Sequence, residues 1–380
     1  MSKVQITKIT DRAGTGSPNF SNGFTIAGAD SGFSGFTHFE TTTEGDTPDS
    51  PDNGDTWWNA STNEYKVFAN GGWQTLIGSG SSSGGLTSYT GDRGVFTAGA
   101  NNGVQNHINY ISISTTGNAT DFGDMSVAVF KHNGGASNTS RGLFMGGRNS
   151  SNANVDNIQY ITFATPGNST DFGDIHAATY ELCTTTNGTY GLYWGGVNTG
   201  VENTIQYVTV ATTGNSTNFG NMTAVNALCT PISGSTRNLR AGGDSADTNV
   251  IDYVTVATPG NATDFGDLSV VAHSGESVTD DSRAVIALGR EGVGNQVQDT
   301  MEYITVDTAG NTTDFGDLTA ARHAMGATSS NGRGCFGGGG VSAYTNVIDY
   351  ITIQTPGNAT DFGDLVTAFG YGGSCSGAAS

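Results

Sequence analysis

Five copies of Asp-Phe-Gly stand in this chain, at residues 121–123, 171–173, 264–266, 314–316 and 361–363, and a sixth copy reads Asn218-Phe219-Gly220. In phosphoryl-transfer enzymes that tripeptide supplies the aspartate that holds magnesium, but the same chemistry needs a glycine-rich phosphate loop, a strand lysine and a catalytic-loop aspartate. The lysines are Lys3, Lys8, Lys66 and Lys131, too few and too scattered for that apparatus. The tripeptide is therefore read as architecture, with Phe packing between repeats and Asp and Gly shaping a turn. Aspartates flank it in pairs: Asp121 and Asp124, Asp171 and Asp174, Asp264 and Asp267, Asp314 and Asp317, Asp361 and Asp364. Calcium takes about six to eight oxygens, and no D-x-D-x-D-G loop is present, so these carboxylates are expected to be satisfied by protein partners. Arginine is the natural one, because five units carry it upstream, at Arg93, Arg141, Arg237, Arg283 and Arg333. The remaining unit has Tyr190 there, and its aspartates are replaced by Asn218 and Asn221. Each arginine is expected to pair within its own unit, its planar guanidinium bracing two strand ends.

Histidine and cysteine add no catalytic constellation. His38, His107, His132, His176, His273 and His323 fall at unrelated repeat positions without an H-E-x-x-H, and Cys183, Cys229, Cys335 and Cys375 lie far apart without a C-x-x-C. No metal and no cofactor is expected, and the cysteines read as buried filler. Ser50-Pro51-Asp52-Asn53-Gly54-Asp55-Thr56-Trp57 fits the Asp box of sialidase-like propellers. It occurs once, outside the repeats, and a glycosidase needs two carboxylates placed across its substrate. The chain is thus read as no enzyme, with a sialidase-like glycan-processing activity as a remote alternative. The six N-x-T sequons of the repeated turn, from Asn118 to Asn358, are expected to be unmodified.

These residues recur because the chain is a repeat array. The motif phenylalanines Phe122, Phe172, Phe219, Phe265, Phe315 and Phe362 are spaced by 50, 47, 46, 50 and 47 residues, a period of supersecondary units. Before each stands an alternating strand such as Tyr160-Ile161-Thr162-Phe163 or Tyr350-Ile351-Thr352-Ile353, with apolar side chains on both faces, as in stacked sheets. The Thr-Pro-Gly-Asn that follows, as at 165–168 and 355–358, predicts a type II turn. Further upstream lies a glycine-punctuated strand, such as Leu143-Phe144-Met145-Gly146-Gly147. The array opens without the segment that precedes this strand in other units, and the missing segment, Leu365 to Cys375, stands alone at the other end. A ring needs one such shared blade, whereas an open solenoid needs dissimilar caps. The expected fold is all-β, a six-bladed propeller over residues 86–380 closed by its C-terminal strand.

With 58 glycines, 13 % charged residues and a net charge of −20, the chain reads as folded, loop-rich and repelled by phosphate backbones and anionic membranes. Nucleic acid is not expected as a partner, and neither is membrane insertion, because no run of about 18 apolar residues occurs. The opening Met1 to Lys8 alternates and does not read as a signal peptide. Residues 78–85, Gly and Ser but for none other, read as a flexible linker. Before them, residues 1–77 hold Trp57, Trp58 and Trp73 and predict a small, partly extended β module with a hairpin over 56–73. So small a segment is expected to dock on a partner or on symmetry mates.

The array resembles the kelch-like propellers, whose units join a Gly-Gly strand end to a Tyr-bearing strand about a dozen residues later, as in Gly146-Gly147 with Tyr160, Gly195-Gly196 with Tyr207 and Gly242-Gly243 with Tyr253; Gly99-Ala100 and Gly289-Arg290 depart from the doublet. The longer phrase from Asp349 to Leu365 resembles repeats in virion structural proteins of marine tailed phages, of the cyanophage type. Residues 13–20 and the 54–73 segment are similar to leading segments of such proteins. The resemblance implies a bacteriophage virion fibre or adhesin on the particle surface: 1–77 anchors to other virion proteins, the chain forms a homo-oligomer there, and the propeller meets a host-surface glycan or protein. The alternative is a structural decoration, head-fibre or tail-fibre protein that binds nothing. Host attachment would use the loops that differ between units, near 100–107, 148–157, 197–204, 244–250, 290–300 and 341–347, where Asn101, His107, Arg148, Asn149, Asn152, Arg290, Glu291 and Tyr344 offer donors, acceptors and an aromatic platform.

Overall fold

The computed structural model describes residues 91–379 except 132–133, 246–247, 293 and 331, together with the backbone of four strands nearer the N-terminus. The chain divides into two compact units, residues 1–83 and 84–380. In the first, Phe39–Thr42 pairs in parallel with Thr56–Asn59, which continues as an antiparallel meander through Glu64–Ala69 and Gly72–Gly78. The hairpin expected over 56–73 is present in that meander. The rest of the expected partly extended module, and the expected linker beyond Gly78, lie outside the described residues.

The second unit is a six-bladed β-propeller, and its described residues contain no helix. Each blade is a four-stranded antiparallel sheet. Blade 2 shows the pattern from the axis outward: Ala136–Ser137, Arg141–Met145, Asn157–Thr162 and Thr170–Asp174. In blade 1 the innermost strand is Ser374–Gly377, from the chain's end, paired with Arg93–Thr97, His107–Ser112 and Thr120–Asp124. The inner strands follow one another around the axis from blade 1 to blade 6 and back. The ring is thus closed by the C-terminal strand, as the complementary ends predict.

Six apolar cores lie between blades. One joins Ile108, Phe122 and Met125 of blade 1 to Phe144, Ile161 and Phe163 of blade 2; the last joins Cys335, Phe362, Leu365 and Phe369 to Phe96, Ile111 and Ile113, so that blade 6 packs on blade 1. The motif phenylalanine enters these cores through a β-bulge. In blade 1, Ile108 opposes Gly123 and Asn109 opposes Asp121, leaving Phe122 as the extra residue, and every blade repeats the shift. A bulge re-aims its side chain, and Phe122 meets the Tyr110 ring edge-on at 5.9 Å. Asp-Phe-Gly is therefore strand, and the turn expected there is absent.

The Thr-Pro-Gly-Asn segments also differ from expectation. The hydrogen-bonded turn comes earlier, with the Thr355 N–H donating to the Thr352 carbonyl at 3.0 Å, and Gly357 is nearly extended at φ 157° rather than at the roughly +80° of a type II turn. What the segment does instead is cover its neighbour's edge. In blade 1, Gly117 N–H donates to the Phe362 carbonyl of blade 6 at 2.9 Å and Ala119 N–H to Asp364 at 2.7 Å, while Asn118 Oδ1 accepts from Asp364 N–H at 3.1 Å. The two glycines touch: a Cβ on Gly363 would lie 2.5 Å from the Gly117 carbonyl oxygen. Each outer strand is thereby capped, which removes an edge open to further pairing.

The Arg–Asp pairs expected from the sequence are not formed. Arg93, Arg141, Arg237, Arg283 and Arg333 lie over the rings of Tyr110, Tyr160, Tyr253, Tyr303 and Tyr350, at 4.4–4.8 Å. They donate across to the next blade, Arg141 to the Ala211 carbonyl at 2.9 Å and Arg333 to that of Ser114 at 2.8 Å. Register explains it: Arg93 stands opposite Ser112, whereas Asp121 and Asp124 stand opposite Asn109 and His107. Two strand spacings, about 10 Å, and an offset along the blade separate charges that share a unit. The same register holds for Asp171, Asp174, Asp264, Asp267, Asp314, Asp317, Asp361 and Asp364. Tyr190 fits this arrangement, since it meets Tyr207 edge-on at 5.3 Å in place of the guanidinium.

Candidate functional site

The conserved geometry of the turns occupies one face of the ring with blade-to-blade contacts, and the dissimilar loops emerge on the other. Glycines turn the chain out of the second strand there: Gly146 and Gly147 take φ of 62° and 105°, and a Cβ on Gly146 would lie 2.5 Å from the Thr179 carbonyl oxygen. At the same face the chain enters each inner strand through a left-handed residue, and these six, Lys131, Glu181, Leu228, Ser274, Ala324 and Tyr371, have φ of 53–60°. Their backbones form a closed circle of hydrogen bonds. Lys131 N–H donates to Tyr371, Glu181 to Lys131, Leu228 to Glu181, Ser274 to Leu228, Ala324 to Ser274 and Tyr371 to Ala324, at 2.7–3.0 Å. Left-handed backbone is strained for residues other than Gly, and this circle is what over-determines it.

Around the circle, the first residue of a loop leans onto the residue just before the left-handed position of the next inner strand. Arg148 lies 3.6 Å over the Tyr180 ring, Asp244 stands 3.9 Å from His273, and Arg290 Nη2 contacts His323 Nε2 at 2.8 Å. The last pair belongs to a cleft of about 450 Å³ bounded by Asn101, Asn102, Arg290, His323, Val341 to Tyr344, and Tyr371. Tyr371 is edge-on to His323 at 5.7 Å and to Tyr344 at 6.4 Å.

Electrostatics define the state of this cleft. A guanidinium only donates, so His323 Nε2 accepts and its proton sits on Nδ1. Burial, with Arg290 and His273 adding to it, pulls the imidazole down to about 4, so it is neutral at pH 7. Burial pushes Tyr371 up to about 12 and raises Tyr344, keeping both phenols protonated. Arg290 Nε and His323 Nδ1 are buried and have no hydrogen-bond partner among the described residues.

The structure brings three of the sequence-predicted residues, Asn101, Arg290 and Tyr344, into this cleft. Arg148 and Asn152 belong to the blade 2 loop, where Arg148 donates to Asn154 at 2.9 Å and to Asn152 at 3.3 Å, and Asn149 Oδ1 accepts from Ser151 N–H at 3.0 Å. Glu291 accepts from Gln298 at 3.2 Å, and His107 faces Asp124 at 3.5 Å on the outer part of blade 1. Two cleft residues escaped the sequence reading, His323 and Tyr371. Tyr371 is the left-handed residue that leads into its inner strand, a position that differs in all six units, and His323 immediately precedes that position, Ala324, in its own blade.

A second feature lies on the axis. Hydroxyls of the inner strands, among them Ser137, Thr186, Thr279, Ser329 and Ser376, line a channel of about 50 Å³ with the single carboxyl of Glu276. Among the described residues no group of three or more His, Cys, Asp or Glu side chains converges as a metal site. Neither a protein-family model nor a curated protein matches the chain.

Proposed function

We propose that this protein is a bacteriophage virion fibre or adhesin protein, non-enzymatic, attached to the particle through residues 1–77 and presenting its propeller to a glycan or protein on the host surface. The observation that carries this reading is the division of labour between the two faces. Repeated turns seal the blades together, so they are held to one sequence, while the loop face collects six different loops and a polar, aromatic cleft within the size range of ligand sites. The phage assignment draws on the resemblance of the repeat phrase and of the leading segment. A glycan-processing activity fits less well, because the cleft lining holds no pair of carboxylates.

The test is a particle carrying R148A, R290A and Y344A together. Its propeller should melt within about 3 °C of the parent, because these side chains lie at the loop face and surface substitutions shift stability by about 0.5 kcal/mol each. Adsorption to host cells should fall at least about tenfold, a loss of roughly 1.4 kcal/mol. Unchanged adsorption with unchanged melting would favour the alternative, a fibre or decoration protein that binds nothing.

A further inference from the structure

The cleft's donors point to a charge class of ligand, an inference that rests on the reading of the loop face as a binding surface. We propose that the Arg290 cleft takes a carboxylate-bearing saccharide, a uronic acid unit whose carboxylate sits on the Arg290 guanidinium and whose ring faces Tyr344.

Arg290 is placed for an external partner. The chain has 34 acidic residues against 14 basic ones, yet among the described residues no carboxylate forms an ion pair with this guanidinium; its side-chain bond is to a neutral imidazole. That imidazole is 4 % exposed and lines the cleft. By accepting from Nη2 it fixes the guanidinium's orientation without neutralising its charge. The other cations of the face have partners of their own: Lys131 is paired with Glu181, and Arg148 donates to Asn152 and Asn154 and lies over the Tyr180 ring.

The geometry also selects among anions. A planar fork matches a planar carboxylate, and one uncompensated cation in a protein of net charge −20 suits a single negative charge better than a phosphate carrying nearly two. Saccharide follows from the rest of the wall: the Tyr344 and Tyr371 rings, held edge-to-face, offer an apolar surface to a sugar's C–H face, and the Asn101 and Asn102 amides suit hydroxyls.

The experiment is calorimetric titration of the full-length chain with an oligogalacturonate and with its methyl ester, which is the same saccharide without the charge. The acid should bind about tenfold to a hundredfold tighter than the ester, the range expected for hydrogen bonds to a charged group. R290Q should erase that difference, R290K should keep part of it, and unchanged melting of both variants shows that the fold is intact. A sulfated oligosaccharide serves as the other singly charged source and should bind more weakly than the uronate. Equal affinities for acid and ester, a preference for the sulfated sugar, discrimination that survives R290Q, or no binding of either saccharide at millimolar concentration overturns the proposal. The adhesin reading fails separately: if host adsorption depends on Tyr344 while acid and ester bind alike, only the charge assignment falls, and if acid is preferred but cells are not bound, only the adhesin reading does.

Discussion

A buried polar side chain recurs at one strand position. Asn109, Gln159, Gln206, Asp252, Glu302 and Asp349 occupy equivalent sites in the third strand of each blade and are nearly all inaccessible. Five of them accept a backbone N–H from the segment after the preceding blade's outer strand: Asn109 from Val366, Gln159 from Val127, Asp252 from Thr223, Glu302 from Ser269 and Asp349 from Thr319. Asp349 also holds Arg322, at 2.7 Å and with both side chains within 3 % of full burial. Arg322 is fixed further by the Val347 carbonyl at 2.9 Å, so it cannot swing to water when its partner is removed. D349A should therefore cost about 3–5 kcal/mol, because it strands a buried cation. Urea denaturation measures it, and a loss under about 1 kcal/mol would show that the guanidinium escapes burial.

At the scale of elements, closure depends on the strand that stands last in sequence order. Ser374–Gly377 completes blade 1, and the segment leading to it places Leu365 and Phe369 in the core between blades 6 and 1 and Cys375 in the core between blades 1 and 2. Deleting residues 365–380 removes these side chains and uncovers the Arg93–Thr97 edge. At about 1.5–3 kcal/mol for each large apolar side chain, the loss exceeds about 4 kcal/mol and should lower the melting temperature by more than about 8 °C. A truncated propeller that melts with the parent would mean that the turn contacts from Gly117 to Phe362 and Ala119 to Asp364 close the ring unaided.

For the molecule as a whole, the axis is the place where all six blades meet, and among the described residues one carboxyl group lines its cavity. Glu276 is 3 % exposed, its Oε1 lacks a partner, and burial raises its carboxyl well above the ordinary 4.5, against the opposing Ser277 and Gly134 backbone N–H groups. The folded state therefore keeps a proton that the unfolded chain releases above that value. Stability from this group is fully present below about pH 4.5 and declines as pH rises towards the folded value. E276Q removes the linkage: it should raise the melting temperature at pH 7–8 and have little effect at pH 4, as read by calorimetry across that range. A stability gain independent of pH would refute titration of this carboxyl.

What the sequence by itself determined was everything that repeats or alternates: six units, the strand with apolar residues on both faces, and the split blade that makes a ring from complementary ends. Those properties reside in short-range spacing, where one residue's type constrains its neighbours. The tertiary structure alone decided what depends on register and on distance through space. Arg333 and Asp361 share a unit in sequence but lie at different heights on strands two apart, so the guanidinium turns to Tyr350 and to Ser114 of blade 1. Phe362 is displaced from the alternation by a bulge that no periodicity announces. The cleft goes furthest beyond the sequence, since Asn101, Arg290, His323 and Tyr371 meet only because closure returns the last segment to the first blade, and the order of residues along a chain carries no measure of that angle.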